Sequence, residues 1–425
     1  MSSRPTRRSV LAGSVGVAFP HLFIPRYGWA ASSSLGVGAI GVGGRGTDIG
    51  NQAAGHGKMI ACADVHLGNA NRFASQHKCE VYQDYRKLLE RRDIDVITCG
   101  STDHWHVKIA LDAMKAGKDV YCEKPASYNI YEGLRMLETA RQTKRMLQIG
   151  SQHRSVEYKI RAMQALHQGL IGKIYLAKGL CFKRRVSIGS KPDSPVPPGV
   201  NWDLFLGPAP MRPFNELRFR YNWHWFWDTG NGDIGNQGVH EMDICRWGMN
   251  LGLPKSVVST GGKYVYDDDQ ETPNTQLATF DYGGAQIVFE VRGLLTGPEG
   301  GVPIKAGNTV GNLFFGADGW MWVDGGGFTI YKGESHEVAL EEKRERGGDE
   351  SVAHMRNFLA ACRSRNYKDL TADVEIGAAS ADLCHLANIS YRVGRKLNWD
   401  AARRRFNDAE ADKLLTRDYR KPYVV

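Results

Sequence analysis

A glycine-rich turn between an apolar segment and a helix constrains this chain more than any other feature. The apolar residues 35–40 are typical of a buried strand and lead into Gly41, Gly43 and Gly46, a Gly-x-Gly-x-x-Gly spacing. In such a unit the first glycine makes a tight turn, the second lets the backbone approach a pyrophosphate, and the third lets the helix pack on its strand. The free N–H groups at the helix start then face an anion. The pattern predicts a dinucleotide-binding site.

The next apolar segment supports the same interpretation. Residues 59–63 end in Asp64, about 20 positions after the turn, where a Rossmann unit places the carboxylate that binds the adenine ribose. Alone, the glycine spacing is weak evidence in a chain with 49 glycines, and a simple glycine turn is the alternative. The charge of Asp64 repels a 2′-phosphate, so we expect NAD, with NADP less favoured.

Length and composition limit the other function classes. A chain of 425 residues is too long for one ordinary core, so two domains are expected. The formal charge of +9 raises the question of nucleic acid, but the densest basic run is residues 403–405, which is typical of a solvated helix face. We therefore expect no nucleic-acid partner. The eight cysteines form no Cys-x-x-Cys pair, so no metal site is predicted.

The first 31 residues are interpreted as a targeting segment. Arg7 and Arg8 form a twin arginine, residues 11–24 are mildly apolar, and Ala30 and Ala31 offer small residues for cleavage. This pattern predicts export through the twin-arginine route and a periplasmic location. The apolar part is short and contains proline and histidine, so no membrane span is expected. The alternative is an unstructured start that contains two arginines by chance.

The rest of the chain divides by its pattern of elements. Strands and helices alternate over residues 32–153, which predicts a parallel sheet, and Glu123 and Lys124 follow a strand at the same edge as the glycine turn. Residues 154–395 contain extended stretches at 173–182, 256–266, 275–282 and 285–291, interpreted as antiparallel strands of a second domain. Two late helices, residues 351–363 and 372–395, are expected to pack against the earlier units. Residues 396–425 are interpreted as a tail.

Three motifs in this order resemble the Gfo/Idh/MocA oxidoreductase family: residues 41–46, Glu123-Lys124-Pro125, and residues 235–243. The resemblance covers about residues 34–395. It implies an α/β protein with an N-terminal NAD(P)-binding Rossmann domain and a C-terminal domain with a large, mainly antiparallel open sheet. It also implies a sugar, cyclitol or polyol substrate, and we expect a homo-oligomer. By motif, Lys124 is the lysine beside nicotinamide and substrate, and His240 is the histidine of the acid/base pair.

One position departs from the family pattern. Better-studied members have Asp four residues before that histidine, and this chain has Asn236, whose amide cannot transfer a proton as a carboxylate can. Asp233 is one candidate substitute, and Asp243 is another because it stands at i+3 from His240. The candidate catalytic residues are therefore Lys124, His240, Asn236 and Asp243.

The remaining candidates are assigned to the cofactor or the substrate. The cofactor-binding candidates are Gly41, Gly43, Gly44, Arg45, Gly46, Asp64, Ser101, His106, Glu123 and Lys124. The substrate candidates are Lys124, Arg154, Trp223, Trp225, Asp233 and His240. In an extended chain Trp223 and Trp225 share one face, which suits the apolar faces of a sugar. A packed sheet face is the alternative for these rings, and helix capping or packing is the alternative for His106.

Three functions remain open from the sequence. The leading hypothesis is an NAD-dependent oxidoreductase that acts on a sugar, polyol or sugar derivative. The alternatives are an NAD-dependent glycoside hydrolase that works by transient oxidation and elimination, and a nucleotide-holding sugar-binding protein without turnover. Twin-arginine export moves folded proteins and free NAD is scarce outside the cytoplasm, so we expect the cofactor to be tightly bound.

Overall fold

A computed structural model describes residues 34–344 and 350–425. The predicted twin-arginine segment, residues 1–31, lies outside the described residues. In the part of the chain that is described, no helix is long and apolar enough to span a bilayer.

The N-terminal part is a six-stranded parallel sheet in the order β3-β2-β1-β4-β5-β6. Its strands are β1 Gly36–Ile40, β2 Lys58–Ala63, β3 Glu80–Tyr82, β4 Val96–Cys99, β5 Asp119–Cys122 and β6 Leu147–Ile149. The helices between them are α1 Gly44–Ala54, α2 Leu67–His77, α3 Tyr85–Leu89, α4 Asp103–Lys115 and α5 Ile130–Thr143. The strand order reverses between β1 and β4, where open α/β sheets bind ligands beyond the carboxyl ends of their strands. The predicted Rossmann fold is confirmed.

The second sheet has ten strands in the order β14-β13-β12-β11-β7-β10-β9-β8-β15-β16. They are β7 Ile174–Phe182, β8 Ser256–Gly262, β9 Thr275–Asp281, β10 Gln286–Arg292, β11 Thr309–Gly316, β12 Gly319–Asp324, β13 Gly327–Lys332, β14 Glu337–Lys343, β15 Leu397–Asp400 and β16 Arg405–Phe406. The mainly antiparallel sheet is confirmed, with one correction. Strands β7 and β10 pair in parallel, although both were expected to be antiparallel.

The described ranges contain seven further helices: α6 Glu157–His167, α7 Trp202–Leu206, α8 Gly232–Asn236, α9 Gly238–Met249, α10 Glu350–Ser364, α11 Val374–Val393 and α12 Ala409–Asp412. Helix α10 packs on the Rossmann part, where Met355 and Phe358 share a core with Ile49 of α1. Helix α11 packs against α5, so that a Cβ on Gly133 would stand 3.4 Å from the Cβ of Ala378.

Residues 396–425 are part of the fold and not a separate tail. Strand β15 extends the second sheet, with Leu397 opposite Val257 of β8. Further on, the ring of Tyr423 is buried and meets Trp105 of α4 edge to face, with centroids 5.3 Å apart. The end of the chain therefore joins the second sheet to the Rossmann part.

Candidate active site

The glycine turn is held by close backbone contacts. Gly41 has φ +74°, and a Cβ there would stand 2.7 Å from Cα of Ser101 in the loop after β4. A Cβ on Gly46 would stand 1.6 Å from the carbonyl oxygen of Gly41. Only glycine fits either position, because the obstructing atoms are backbone atoms. This is the local geometry predicted for the first and third glycines of the motif.

The second glycine faces open space instead. A Cβ on Gly43 would meet only Asn69 Nδ2, at 3.7 Å, and a Cβ on Gly44 would meet nothing within 4 Å. Gly43 is the N-cap of α1 and has no side chain to satisfy the first N–H groups of the helix, which lack intrahelical partners. The turn is therefore a cradle of N–H donors with room for an anion, and it fits the pyrophosphate of NAD.

Glu123 connects this cradle to the Lys124 segment. Its Oε1 accepts from Arg45 Nε at 2.8 Å, and its Oε2 accepts from the Lys124 backbone N–H at 3.2 Å. Asp64 directly follows β2, and its Oδ1 accepts from the His66 backbone N–H at 2.8 Å. Burial raises the pKa of Asp64, and hydrogen bonds from His66 and Asn69 oppose this rise. Both carboxylates stand at the edge of the sheet where the glycine turn lies.

His106 holds two loops of this edge together and does not offer a free ring nitrogen. Its Nδ1 lies 2.8 Å from the carbonyl oxygen of Pro125, and its Nε2 lies 3.0 Å from that of Ser101. The expected contact of His106 with cofactor or substrate stays a prediction. The packing alternative describes this residue, because both ring nitrogens face backbone carbonyl groups.

Lys124 joins the Rossmann part to the motif around His240. Its Nζ donates to the Asn236 carbonyl oxygen at 2.5 Å and stands 3.3 Å from Asn236 Oδ1. Burial lowers the pKa of Lys124, although the charges of Glu123 and Asp103 oppose the change. A lysine with a lowered pKa exchanges a proton more readily near neutral pH. The structure thus brings together two residues that are 112 positions apart.

His240 is buried beside this contact, with 7% of its surface exposed. Its Nδ1 has no hydrogen-bond partner among the described residues. The ring of His153 meets it edge to face, with centroids 4.9 Å apart. Burial lowers the pKa of His240 well below its ordinary value, and the positive charges of His153, Lys124 and others add to this effect. His240 is therefore a neutral imidazole whose buried Nδ1 has no hydrogen-bond partner among the described residues.

The proposed contact between Asp243 and His240 is wrong. Both oxygens of Asp243 accept from Arg154, at 2.7 and 2.9 Å, and Oδ1 also accepts from Ser380 Oγ at 2.6 Å. Burial favours a higher pKa for Asp243, but Arg154 and Ser380 outweigh it, so the pKa lies below its ordinary value. Arg154, which was expected to contact substrate, forms this ion pair with Asp243. Spacing at i+3 permitted the contact with His240, but the arginine of another element outcompetes it.

Asp233 is also matched by a cation, which removes it as a ready substitute base. Its two oxygens accept from Arg185 at 2.6 and 2.8 Å. The Asn236 amide nitrogen donates to the Tyr221 hydroxyl at 3.1 Å, and Arg185 donates to the same hydroxyl at 3.1 Å. Asp233, Asn236, Arg185 and Tyr221 therefore form one hydrogen-bonded group beside Lys124.

The segment that contains Trp223 and Trp225 is not extended, which corrects the expectation for these two tryptophans. A 3₁₀ helix spans Arg220–Trp225, so alternate residues do not share a face. Trp225 is buried, and the Arg185 guanidinium lies 5.1 Å from its ring centroid. Trp223 stacks on His224 at 3.6 Å and packs against the aromatic cluster around Trp202. The structure gives no aromatic platform from these two rings, and packing accounts for them.

Sequence reasoning missed a group of titratable side chains behind His240. His153 Nδ1 lies 2.9 Å from Lys159 Nζ and 3.2 Å from Glu350 Oε2. Burial lowers the pKa of Lys159 to about 8, while the charges of Glu350 and Glu241 raise it. A signal was available for His153, which follows β6 at the carboxyl edge of the first sheet. Lys159 and Glu350 gave none, because neither belongs to a motif. In the described ranges, no three His, Cys, Asp or Glu side chains are grouped to hold a metal.

Comparisons with known proteins agree with this arrangement. Among curated proteins, the inositol 2-dehydrogenase of Gluconacetobacter diazotrophicus is 28% identical over 169 residues, which are 38% of this chain and 50% of that protein. An uncharacterized oxidoreductase of Bacillus subtilis is 31% identical over 242 residues, 56% of this chain and 60% of that protein. The chain spans about half the length of the curated relatives it matches.

Solved structures show the same fold at low identity. An oxidoreductase domain protein from Kribbella flavida has a TM-score of 0.67 at 16% identity and covers 86% of this chain and 99% of its own. An aldose-aldose oxidoreductase from Caulobacter crescentus has a TM-score of 0.65 at 15% identity, with coverage of 86% and 99%.

Two family models match most of the chain. The model described as an oxidoreductase family with an NAD-binding Rossmann fold matches residues 35–151. The model of the family's C-terminal alpha/beta domain matches residues 165–260 and 317–425. Together with the glycine cradle and the contact between Lys124 and the His240 motif, these matches show that the chain belongs to the Gfo/Idh/MocA oxidoreductase family.

Proposed function

We propose that this protein is an NAD-dependent oxidoreductase that acts on a hydroxyl-bearing carbon of a sugar, polyol or sugar derivative. The observation that carries the proposal is the joint burial of Lys124 Nζ and the unpartnered His240 Nδ1 beside the glycine cradle. NAD, when bound, supplies the acceptor for the hydride that leaves the substrate carbon. The protein has to bind the hydroxyl and take up its proton. The relatives named as inositol 2-dehydrogenases support this class of substrate.

Lys124 is the group we assign to the proton of the reacting hydroxyl. Its pKa is lowered by burial, so the neutral amine that accepts the proton is easier to reach than for an exposed lysine. Asn236 holds the ammonium through its carbonyl oxygens and takes no proton itself. We assign to the neutral His240 imidazole a hydrogen bond to the substrate that helps to fix its position.

The nucleotide preference and its retention are part of the same proposal. We assign the carboxylate of Asp64, which directly follows β2, to the hydroxyls of the adenine ribose, and we therefore propose NAD in preference to NADP. We also propose that the protein is exported by the twin-arginine route with NAD(H) tightly bound. When the purified exported protein is denatured, the supernatant should contain about one nucleotide per chain. A protein that emerges empty, or that binds NADP more tightly than NAD in direct titration, contradicts these two points.

The function is tested with a panel of polyols, sugars and aryl glycosides. The proposal predicts NADH formation with at least one polyol or sugar, and no release of an aglycone. Aglycone release without net NADH formation supports the glycoside hydrolase instead. Sugar binding with neither signal supports the binding protein without turnover.

We further propose a homo-oligomer. Tyr175, Val258 and Leu277 are apolar residues left exposed on strands β7, β8 and β9 of the second sheet. Exposed apolar surface of this kind often marks a protein interface. Light scattering on the purified protein decides the point, and a monomeric mass at micromolar concentration contradicts it.

A further inference from the structure

The carboxylates around the site are matched by donors of the protein itself. The matched pairs are Asp233 with Arg185, Asp243 with Arg154, Glu123 with Arg45, and Glu241 with Gln237. Asp103, which acts on Lys124 through its charge, is buried, and burial raises its pKa to about 7. It forms no ion pair among the described residues, and it carries only part of a negative charge near neutral pH. Glu241 is held only by the neutral amide of Gln237, but burial raises its pKa to about 7, so it too carries only part of a negative charge near neutral pH.

Lys183 is a cation that forms no ion pair in the described ranges, and the partly charged Glu241 acts on it only through longer-range charge. The Nζ of Lys183 donates to Gln237 Oε1 at 3.0 Å. Glu241 fixes the orientation of that amide, because Gln237 Nε2 donates to its carboxylate at 3.2 Å. An ammonium has three N–H donors, so Lys183 keeps donor capacity as well as charge.

Lys183 and Lys124 approach the same short segment. Lys124 binds Asn236 and Lys183 binds Gln237, the next residue. Each ammonium acts on the other through its charge, and Lys183 contributes to the lowered pKa of Lys124. Two cations are therefore held by consecutive residues.

Tyr221 adds a further donor at this place. Its hydroxyl oxygen accepts from both Asn236 and Arg185, while its own O–H proton has no acceptor in the part of the chain that the structure describes. Half of the Tyr221 surface is exposed (51%). The site thus presents N–H and O–H donors, together with the ammonium of Lys183, which forms no ion pair in the described ranges. A ligand rich in hydrogen-bond acceptors suits such a site.

We propose that the substrate is a sugar acid, a polyol that carries one carboxylate, with this group bound by Lys183 and Tyr221. The hydroxyl to be oxidised then lies at Lys124 and His240. Its carbon gives a hydride to NAD and its oxygen gives a proton to Lys124, and the carboxylate is unchanged. A carboxylate matches the single uncompensated charge better than a phosphate dianion, since the guanidinium of Arg185 is already occupied by Asp233. This inference rests on the proposed function.

The experiment compares matched ligands on the full chain with NAD. Glucuronate is compared with glucose, galacturonate with galactose, and glucose 6-phosphate tests the phosphate. We expect kcat/KM to be higher for the acid of each pair and to fall with added salt. Lys183→Met should lower kcat/KM for the acid roughly 10- to 100-fold, the usual effect of losing a hydrogen bond to a charged group. The value for the neutral sugar should fall by a smaller factor, because that substrate loses only the effect of the Lys183 charge on Lys124.

Lys191→Met is the matched control, because that lysine pairs with Glu216 on the surface of the same loop. It should leave both ligands unaffected. Lys183→Gln keeps a polar side chain and should show the same loss as Lys183→Met, and a melting curve checks that each variant folds.

The outcomes separate this inference from the proposed function. A preference for neutral sugars, an equal loss on both ligands of a pair, or a preference for glucose 6-phosphate overturns the sugar-acid assignment while the oxidoreductase survives. The absence of NADH formation with every ligand, acid or neutral, overturns the proposed function and this inference with it.

Discussion

Replacing Gly43 and Gly46 one at a time separates the nucleotide cradle from the packing of the fold. In Gly46→Ala the new methyl would stand 1.6 Å from the Gly41 carbonyl oxygen and 3.2 Å from that of Gly100. Both are backbone atoms, so the start of α1 has to move away from its strand. Overpacking of this kind costs typically about 1–3 kcal/mol, and we place this variant at the upper end. At roughly 2 °C per kcal/mol for a large chain, the melting temperature should fall by about 5 °C.

Gly43→Ala should behave in the opposite way. Its methyl meets only Asn69 Nδ2, at 3.7 Å, which is ordinary van der Waals contact, so the free protein should lose less than about 0.5 kcal/mol. The methyl occupies the space assigned to the pyrophosphate, so the overpacking arises in the complex. A cost of about 1–3 kcal/mol there corresponds to nucleotide binding weakened roughly 5- to 150-fold.

The assay has two readouts on the same samples. Melting is followed without added ligand, and affinity is measured by titration with NADH, whose fluorescence changes on binding. Gly44→Ala is the control for melting, because its methyl would meet nothing within 4 Å. The reasoning is refuted if Gly43→Ala binds NADH as well as the wild type, or if Gly46→Ala melts at the wild-type temperature.

Two further predictions concern the buried charges. Arg154→Met leaves Asp243 buried without its partner, and urea unfolding should show that the free energy of unfolding falls by about 3–5 kcal/mol. The control is Lys87→Met on the exposed pair with Glu90, which should cost less than about 1 kcal/mol. Equal effects of the two substitutions contradict the importance of the buried ion pair. Burial lowers the folded-state pKa of Lys159 to about 8, below its unfolded value. At pH values between these two pKa values the unfolded chain binds more protons than the folded chain, so Lys159 makes the free energy of unfolding rise with pH in this range. The wild type should therefore gain stability relative to Lys159→Met between about pH 8 and pH 10, and unfolding curves with parallel pH dependence refute this.

The first half of the fold could be predicted because its rules are local. A buried strand that runs into Gly41, Gly43 and Gly46 specifies the turn through backbone sterics alone, and alternating elements specify a parallel sheet. The second sheet depends on contacts between distant segments. Hydrophobic alternation in β7 and β10 is the same whether they pair in parallel or antiparallel, so the sequence could not show their parallel pairing.

The site followed the same division. The placement of Lys124 beside the His240 motif was implied by the family resemblance, because both belong to its motifs. The pairing of Asp243 with Arg154 was not, because residues 89 positions apart compete with the local contact to His240. The prediction for Trp223 was wrong for a local reason. It rested on the two-residue periodicity of an extended chain, and Arg220–Trp225 forms a 3₁₀ helix, which does not have this periodicity.

The central claim is that Lys124 and His240 act together on the reacting hydroxyl, and the most direct measurement is turnover of their alanine variants with nucleotide binding measured in parallel. Lys124→Ala and His240→Ala should each lower kcat by about 10²-fold or more, while the dissociation constant for NADH stays within about threefold of the wild type. Asn236→Asp, which places a carboxylate against Lys124, should give no gain, because the chemistry assigned here needs no base at that position. Near-wild-type turnover in Lys124→Ala or His240→Ala, with NADH still bound, would contradict the account.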